Sequence, residues 1–238
     1  MDFVRFIQVY IAQGFIGVFF LFLVYKILKR GSHRLNKVFS AFYVTSSTGI
    51  FLNFIYAPLT FEGLELLVLI LNFLTNYLVA FSIIFLVVFQ LIILKSEKVI
   101  DKDKQKYIII GYGVILAVLI IFLFFPEMGV KLDSSTDWKP VWFAPFYFYM
   151  ISALTICTFL PVVVIGLQIY RSFQDKRLKE KWRYYMLGTI FLFAFLYGIF
   201  TANFLNIPIF RTIWALASLF LTIVGGYLLY YGVGRQIE

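Results

Sequence analysis

The 238-residue chain is 62% hydrophobic and only 14% charged, with a formal net charge of +9. Ordinary soluble domains carry about a quarter charged residues, so this chain lacks the polar surface of a water-soluble fold. The positive excess is not a nucleic-acid footprint, because the lysines and arginines sit in short segments between long uncharged stretches.

Apolar stretches of roughly 20 residues read as membrane helices. They fall at 6–25, 38–58, 64–94, 107–125, 143–170, 184–205 and 209–231. The expected fold is an all-α membrane protein, a single seven-transmembrane-helix bundle spanning 1–238. The first stretch has no strongly basic leader and no small-x-small cleavage pattern, and Lys26, Lys29 and Arg30 follow it. A retained anchor is expected rather than a cleaved signal. The second span carries Ala41, Thr45 and Gly49 four residues apart, a spacing that lets backbones approach closely in lipid. It ends near Asn53.

The third span, 64–94, would extend roughly 46 Å at about 1.5 Å per residue, well beyond a hydrocarbon core of about 30 Å. It is expected to tilt or to protrude. Asn72 and Asn76, four apart, share one of its faces. After the fourth span, segment 126–142 mixes turn formers with Trp138 and Trp142. It reads either as a cap over the bundle or as an ordinary connection with interfacial tryptophan anchors. The fifth span holds Ser152, Thr155, the lone Cys157 and Pro161, which is expected to kink it. One cysteine excludes an intramolecular disulfide, and one histidine, His33, gives no metal site.

The segment from Arg171 to Arg183 is rich in helix formers and is expected to extend the fifth and sixth helices past the membrane. Its Lys176, Arg177, Lys179 and Lys181 are expected to contact anionic membrane lipids or to dock an acidic cytoplasmic partner. Ala194, Gly198 and Ala202 in the sixth span and Ser218, Thr222 and Gly226 in the seventh predict that these two helices pack tightly. All lysines and arginines except Arg5, Lys131, Lys139 and Arg211 fall after the first, third and fifth spans or in the tail. Basic segments stay cytoplasmic, so the amino end is expected outside and the carboxyl end inside a cell membrane crossed many times.

No ionisable group lies deep within a span, which disfavours ion-coupled transport and voltage sensing. The seventh span has no lysine for a retinal Schiff base. The buried Ser and Thr of all the spans lack a His, Lys or carboxylate at the same depth, so neither an enzyme nor a cofactor is expected. The neutral polar residues Asn53, Asn72, Asn76, Ser152, Thr155, Tyr197 and Thr201 all map to the outer half. They either line an outward-opening pocket for a neutral or weakly polar small ligand or act as hydrogen-bonded glue between helices, roughly 0.6 to 2 kcal/mol per contact.

The basic turn Lys29-Arg-Gly-Ser-His-Arg-Leu-Asn-Lys37 feeding a Ser/Thr-containing helix, and the closing Tyr230-Tyr-Gly-Val-Gly-Arg235, complete a pattern. With the outer amino terminus, the chain resembles the seven-helix N-terminal sensor regions of membrane histidine kinases. The resemblance implies a receptor-like sensor that passes outside or membrane cues to cytoplasmic kinase modules. Only 232–238 follow the last span, so the receiver is expected to be a separate signalling partner, unless the sequence is a piece of a longer one. A transporter or channel for a neutral solute or lipid, and a structural or assembly subunit, are the competing expectations.

Overall fold

The computed structural model describes residues 7–125 and 127–234. Seven of its helices are long and apolar enough to cross a membrane: α1 (Val9–Leu28), α2 (Arg34–Tyr56), α3 (Glu65–Val99), α4 (Lys102–Phe122), α5 (Ala144–Ser172), α6 (Lys176–Leu205) and α7 (Pro208–Val233). Every predicted span is present. The helices that leave the basic end start earlier than apolarity alone suggests, because lysine and arginine are good helix formers and two starts are capped. The Asp101 carboxylate accepts the Lys104 N–H at 2.8 Å, and the Asp175 carboxylate accepts the Arg177 N–H at 2.7 Å. At the opposite end α6 stops on Asn206, in the left-handed conformation, and Pro208 opens α7.

The excess length of α3 is divided rather than carried by one straight rod. A turn at Ile83 separates Glu65–Ser82 from Ile84–Val99, and Ser96 has φ 71° and ψ 160° inside the second part. Arg34, at the start of α2, holds this irregular end. Its guanidinium donates to the carbonyls of Glu97 and Asp101 and to the Gln105 amide oxygen, at 3.2, 2.9 and 2.9 Å.

Residues 127–142 cap the bundle at the end opposite the basic turns. Strands β1 (Val130–Lys131) and β2 (Val141–Trp142) pair antiparallel. Asp133 caps the single turn Ser134–Thr136 between them. Leu132 and Trp138 are buried in a small cluster with Tyr56 and Val68, over the junction of α2 and α3. Trp142 enters the main core against Phe146 and Phe200, at ring-centre distances of 4.8 and 4.9 Å. Arg211 fastens this hairpin to the α6–α7 turn, donating to the carbonyls of Pro140 (2.6 Å) and Ala202 (3.2 Å).

One continuous core joins the helices, and small residues set the closest approaches. The α6–α7 pair has the most extensive contact in the bundle. A Cβ placed on Gly188 would lie 2.6 Å from the Gly225 carbonyl oxygen, and the Trp214 ring lies directly over Gly198. The small-residue stripes are therefore only partly the seam. Gly226 turns instead toward Phe20 of α1 and accepts the Tyr43 hydroxyl of α2 at 2.8 Å. Gly49 seats α2 on α3, near Val79 and the Thr75 carbonyl, and Gly17 seats α1 on Phe51 of α2. Phe15, Phe22, Ile213, Leu216 and Phe220 are among the large apolar side chains left exposed on the outside. Such a belt suits a hydrocarbon solvent and would be a liability in water.

Candidate functional site

The seven predicted ligand residues do not converge on one space. Asn53 of α2 donates to the Gln13 amide oxygen of α1 at 2.6 Å, joining the two helices. Asn72 of α3 donates to the Tyr56 hydroxyl of α2 at 2.9 Å. Asn76 turns back along its own helix and donates to the Asn72 carbonyl at 2.8 Å. Thr155 and Tyr197 share a hydrogen bond of 2.7 Å between α5 and α6. One turn nearer the hairpin, Tyr147 and Thr201 share another of 3.0 Å.

The common core that runs through the bundle contains Phe73, Trp142, Phe146, Met150, Phe193 and Phe200. Aromatic rings therefore fill the volume that polar residues alone would have left open. Ser152 stands apart from the others, exposed on α5 with its side chain in no hydrogen bond to the rest of the set. The reason is periodicity. Phe146, Met150, Ala153 and Leu154 face the core, so Phe148, Ser152, Ile156, Leu160 and Val164, spaced by four, form the outward stripe.

The α5–α6 seam carries one of three π-helical segments among the described residues, the others being Ile7–Gln13, which leads into α1, and Tyr230–Gly234 at the end of α7; this one lies inside a span. Residues Thr155–Phe159 form a single π-helical turn, in which the Leu160 N–H reaches back to the Thr155 carbonyl. The turn lies just before Pro161, whose ring obstructs a regular α-helical turn, and π-turns inside α-helices are frequent at functional sites. Within it the Thr158 hydroxyl takes up the Leu154 carbonyl. Thr155 is thus both the first residue of the irregular turn and the residue hydrogen-bonded to α6. Below the turn, toward the basic end, the Trp182 indole N–H of α6 donates to the Gly166 carbonyl of α5 at 2.8 Å. Side-chain bonds clamp α5 to α6 on both sides of the π-turn.

A second polar feature lies along α2 and was not among the predicted residues. Asn36, Ser40, Tyr43 and Ser47 occur at i, i+4, i+7 and i+11 and are all buried. Opposite this face, the Gln90 amide of α3 donates to the Tyr185 hydroxyl of α6 at 3.3 Å. The Asn36 and Gln90 amide oxygens and the Ser40 hydroxyl, all buried, have no partner among the described residues. Near mid-span the Ser46 hydroxyl donates to Ser82 at 2.7 Å. These two serines and Thr222 edge a cavity of about 20 Å³, room for about one water molecule. The helical spacing of polar residues in α2 was the signal for this face. It reads as inward-facing once polar groups in a span are required to avoid lipid.

A larger open groove of about 450 Å³ lies beside the hairpin, between Phe124, Phe143, Glu127 and Lys131. None of the seven predicted ligand residues lines either cavity. Among the described residues, no three His, Cys, Asp or Glu side chains gather closely enough to hold a metal ion. At the basic end Lys176 and Arg177 are exposed, while Lys179 and Lys181 are half-buried and lie over the Tyr170 and Tyr231 rings. No protein-family model, curated protein or solved structure matches the chain.

Proposed function

We propose that this chain is a receptor-like membrane sensor for a neutral, lipophilic small ligand, relaying helix movement to a cytoplasmic partner. The asymmetry of its lysines and arginines supports an outer amino end and a cytoplasmic basic end in a cell membrane. The observation that carries the reading is the π-turn at Thr155–Phe159, which itself bonds to α6 through Thr155 and lies between the Tyr147–Thr201 and Trp182–Gly166 bonds that also join α5 to α6. A π-turn and a regular turn differ by one residue of register, so exchanging them rotates the rest of the helix by about 100°. A ligand that replaces the Thr155–Tyr197 hydrogen bond with its own polar group favours one register and shifts the population of the other. Thr155 is only half-buried, and exposed Ile156 follows it on the outward stripe of α5, so a lipophilic molecule would approach the bond laterally from the bilayer. A solute carrier reading needs a midplane space of solute size, and the mid-span cavity holds about one water.

The test uses spin labels on cysteines introduced at Lys104 and Lys176, in a Cys157→Ala background, with the chain in liposomes. Across a panel of neutral lipophilic compounds, at least one is expected to shift the label separation, and Thr155→Val is expected to abolish that shift. A separation that no compound moves, or a shift that persists in Thr155→Val, overturns the reading.

A further inference from the structure

Opposite charges and aromatic side chains line one open groove beside the hairpin. Phe124, Phe125 and Phe143 border its volume of about 450 Å³ together with Glu127 and Lys131. The two charged residues do not pair with each other, since the ion pairs among the described residues are Lys104–Asp101, Lys131–Asp133 and Lys139–Asp137. Glu127 is exposed and takes part in none of them. The Lys131–Asp133 contact is long, at 4.0 Å, and Asp133 is already engaged by Ser135, whose N–H and hydroxyl donate to it at 2.9 and 2.6 Å. Lys131 therefore keeps donors to spare. The main chain fixes the shape of the groove. Gly129 presses on the end of α4, where an added Cβ would lie 2.6 Å from the Phe122 carbonyl oxygen. The N–H groups of Phe143 and Phe146 donate to the Gly129 and Met128 carbonyls at 3.0 and 3.2 Å, tying the start of α5 to the same turn.

We infer that this groove binds the headgroup of a zwitterionic phospholipid, phosphatidylethanolamine, with Glu127 receiving the ammonium and Lys131 the phosphate. Opposite charges that line one groove without neutralising each other are complementary to a ligand carrying both signs, and an ethanolamine phosphate carries them across a short ethylene link. The end of α4 reinforces the acidic side, because the negative end of the helix dipole favours a cation there. A primary ammonium suits this site better than a quaternary one, since its N–H groups can donate to the carboxylate. The groove also continues into lipid. Ile110, Val114, Val118 and Ile121 form an exposed apolar stripe down α4 from Phe125, which is exposed as well, and this stripe gives the acyl chains a bed. That continuity favours a lipid over a free headgroup, and a preformed groove loses little freedom when it is filled. The inference stands on this groove alone and is independent of the sensor reading.

The experiment is native mass spectrometry of the full chain released from nanodiscs of equal phosphatidylethanolamine, phosphatidylcholine and phosphatidylglycerol. The parent chain is expected to retain phosphatidylethanolamine over the other two. Glu127→Gln and Lys131→Gln are each expected to lower that retention about five-fold, and Glu62→Gln, in the turn between α2 and α3, to change it less than about two-fold. All three side chains are exposed, so the substitutions leave the core intact. Free phosphoethanolamine is expected not to displace the lipid, because it lacks the chains that reach the α4 stripe. Displacement by it overturns the assignment to a lipid. No preference for phosphatidylethanolamine in the parent chain, a preference that Glu127→Gln or Lys131→Gln leaves intact, or an equal loss in Glu62→Gln overturns the site.

Discussion

At Gly188 a hydrogen atom stands where any other side chain would meet the backbone of α7. Gly188→Leu is therefore expected to destabilise the protein by about 1 to 3 kcal/mol through overpacking. Gly111, whose added Cβ would meet nothing within 4 Å, gives the contrast: Gly111→Ala is expected to stabilise α4 by on the order of 0.5 kcal/mol. Thermal unfolding in one detergent checks both. The same scale decides what the outer polar residues are worth. A double-mutant cycle of Thr155→Val and Tyr197→Phe is expected to give a coupling of about 0.6 to 1.7 kcal/mol, the range for hydrogen bonds between membrane helices. Ser152→Ala, in the outward stripe, is expected to leave the midpoint unchanged. A coupling near zero in the cycle means that the Thr155–Tyr197 bond does not clamp α5 to α6.

Both α3 and α5 depart from regular geometry within their length, and each departure has a local cause. Pro161 and the π-turn before it let α5 continue past a residue that a regular helix rejects. In α3, Ser96 occupies backbone space that is nearly reserved for glycine, at a cost of about 1 to 3 kcal/mol. Arg34 grips the chain on the far side of that break through Glu97, Asp101 and Gln105. Ser96→Gly is expected to raise stability by about 1 kcal/mol by relieving this conformation. Amide hydrogen exchange at 97–101 is expected to slow with it, since Arg34 then holds an unstrained turn. A lower melting midpoint for Ser96→Gly shows that Ser96 is not strained in the folded chain.

For the molecule as a whole, the proposed orientation makes one simple prediction. In a Cys157→Ala background, a cysteine at Ser135 in the hairpin is expected to react with a membrane-impermeant thiol reagent added outside intact cells. A cysteine at Ser32, in the first basic turn, is expected to react only after permeabilisation; the reverse pattern inverts the orientation. The seven spans and their mutual order were legible in the residues because the bilayer imposes one coarse rule, a long run without charge, which needs no knowledge of neighbours. The tight α6–α7 pair was legible for a similar reason, since small residues alone permit close backbones. Their true point of closest approach, Gly188 on Gly225, was not. The rotation of each helix about its axis depends on all its neighbours at once. That rotation also separated Asn53, Asn72 and Asn76 from Thr155, Tyr197 and Thr201, turned Ser152 outward, and set Asn36, Ser40 and Tyr43 inward. Composition and charge by themselves determined that the chain forms a set of membrane-type rods with one basic end, because transfer free energies are summed along a segment. Which polar groups meet, where aromatic rings fill the interior, and how Lys181 comes to rest on the Tyr231 ring were decided only by the tertiary structure, because these contacts join residues far apart in the chain.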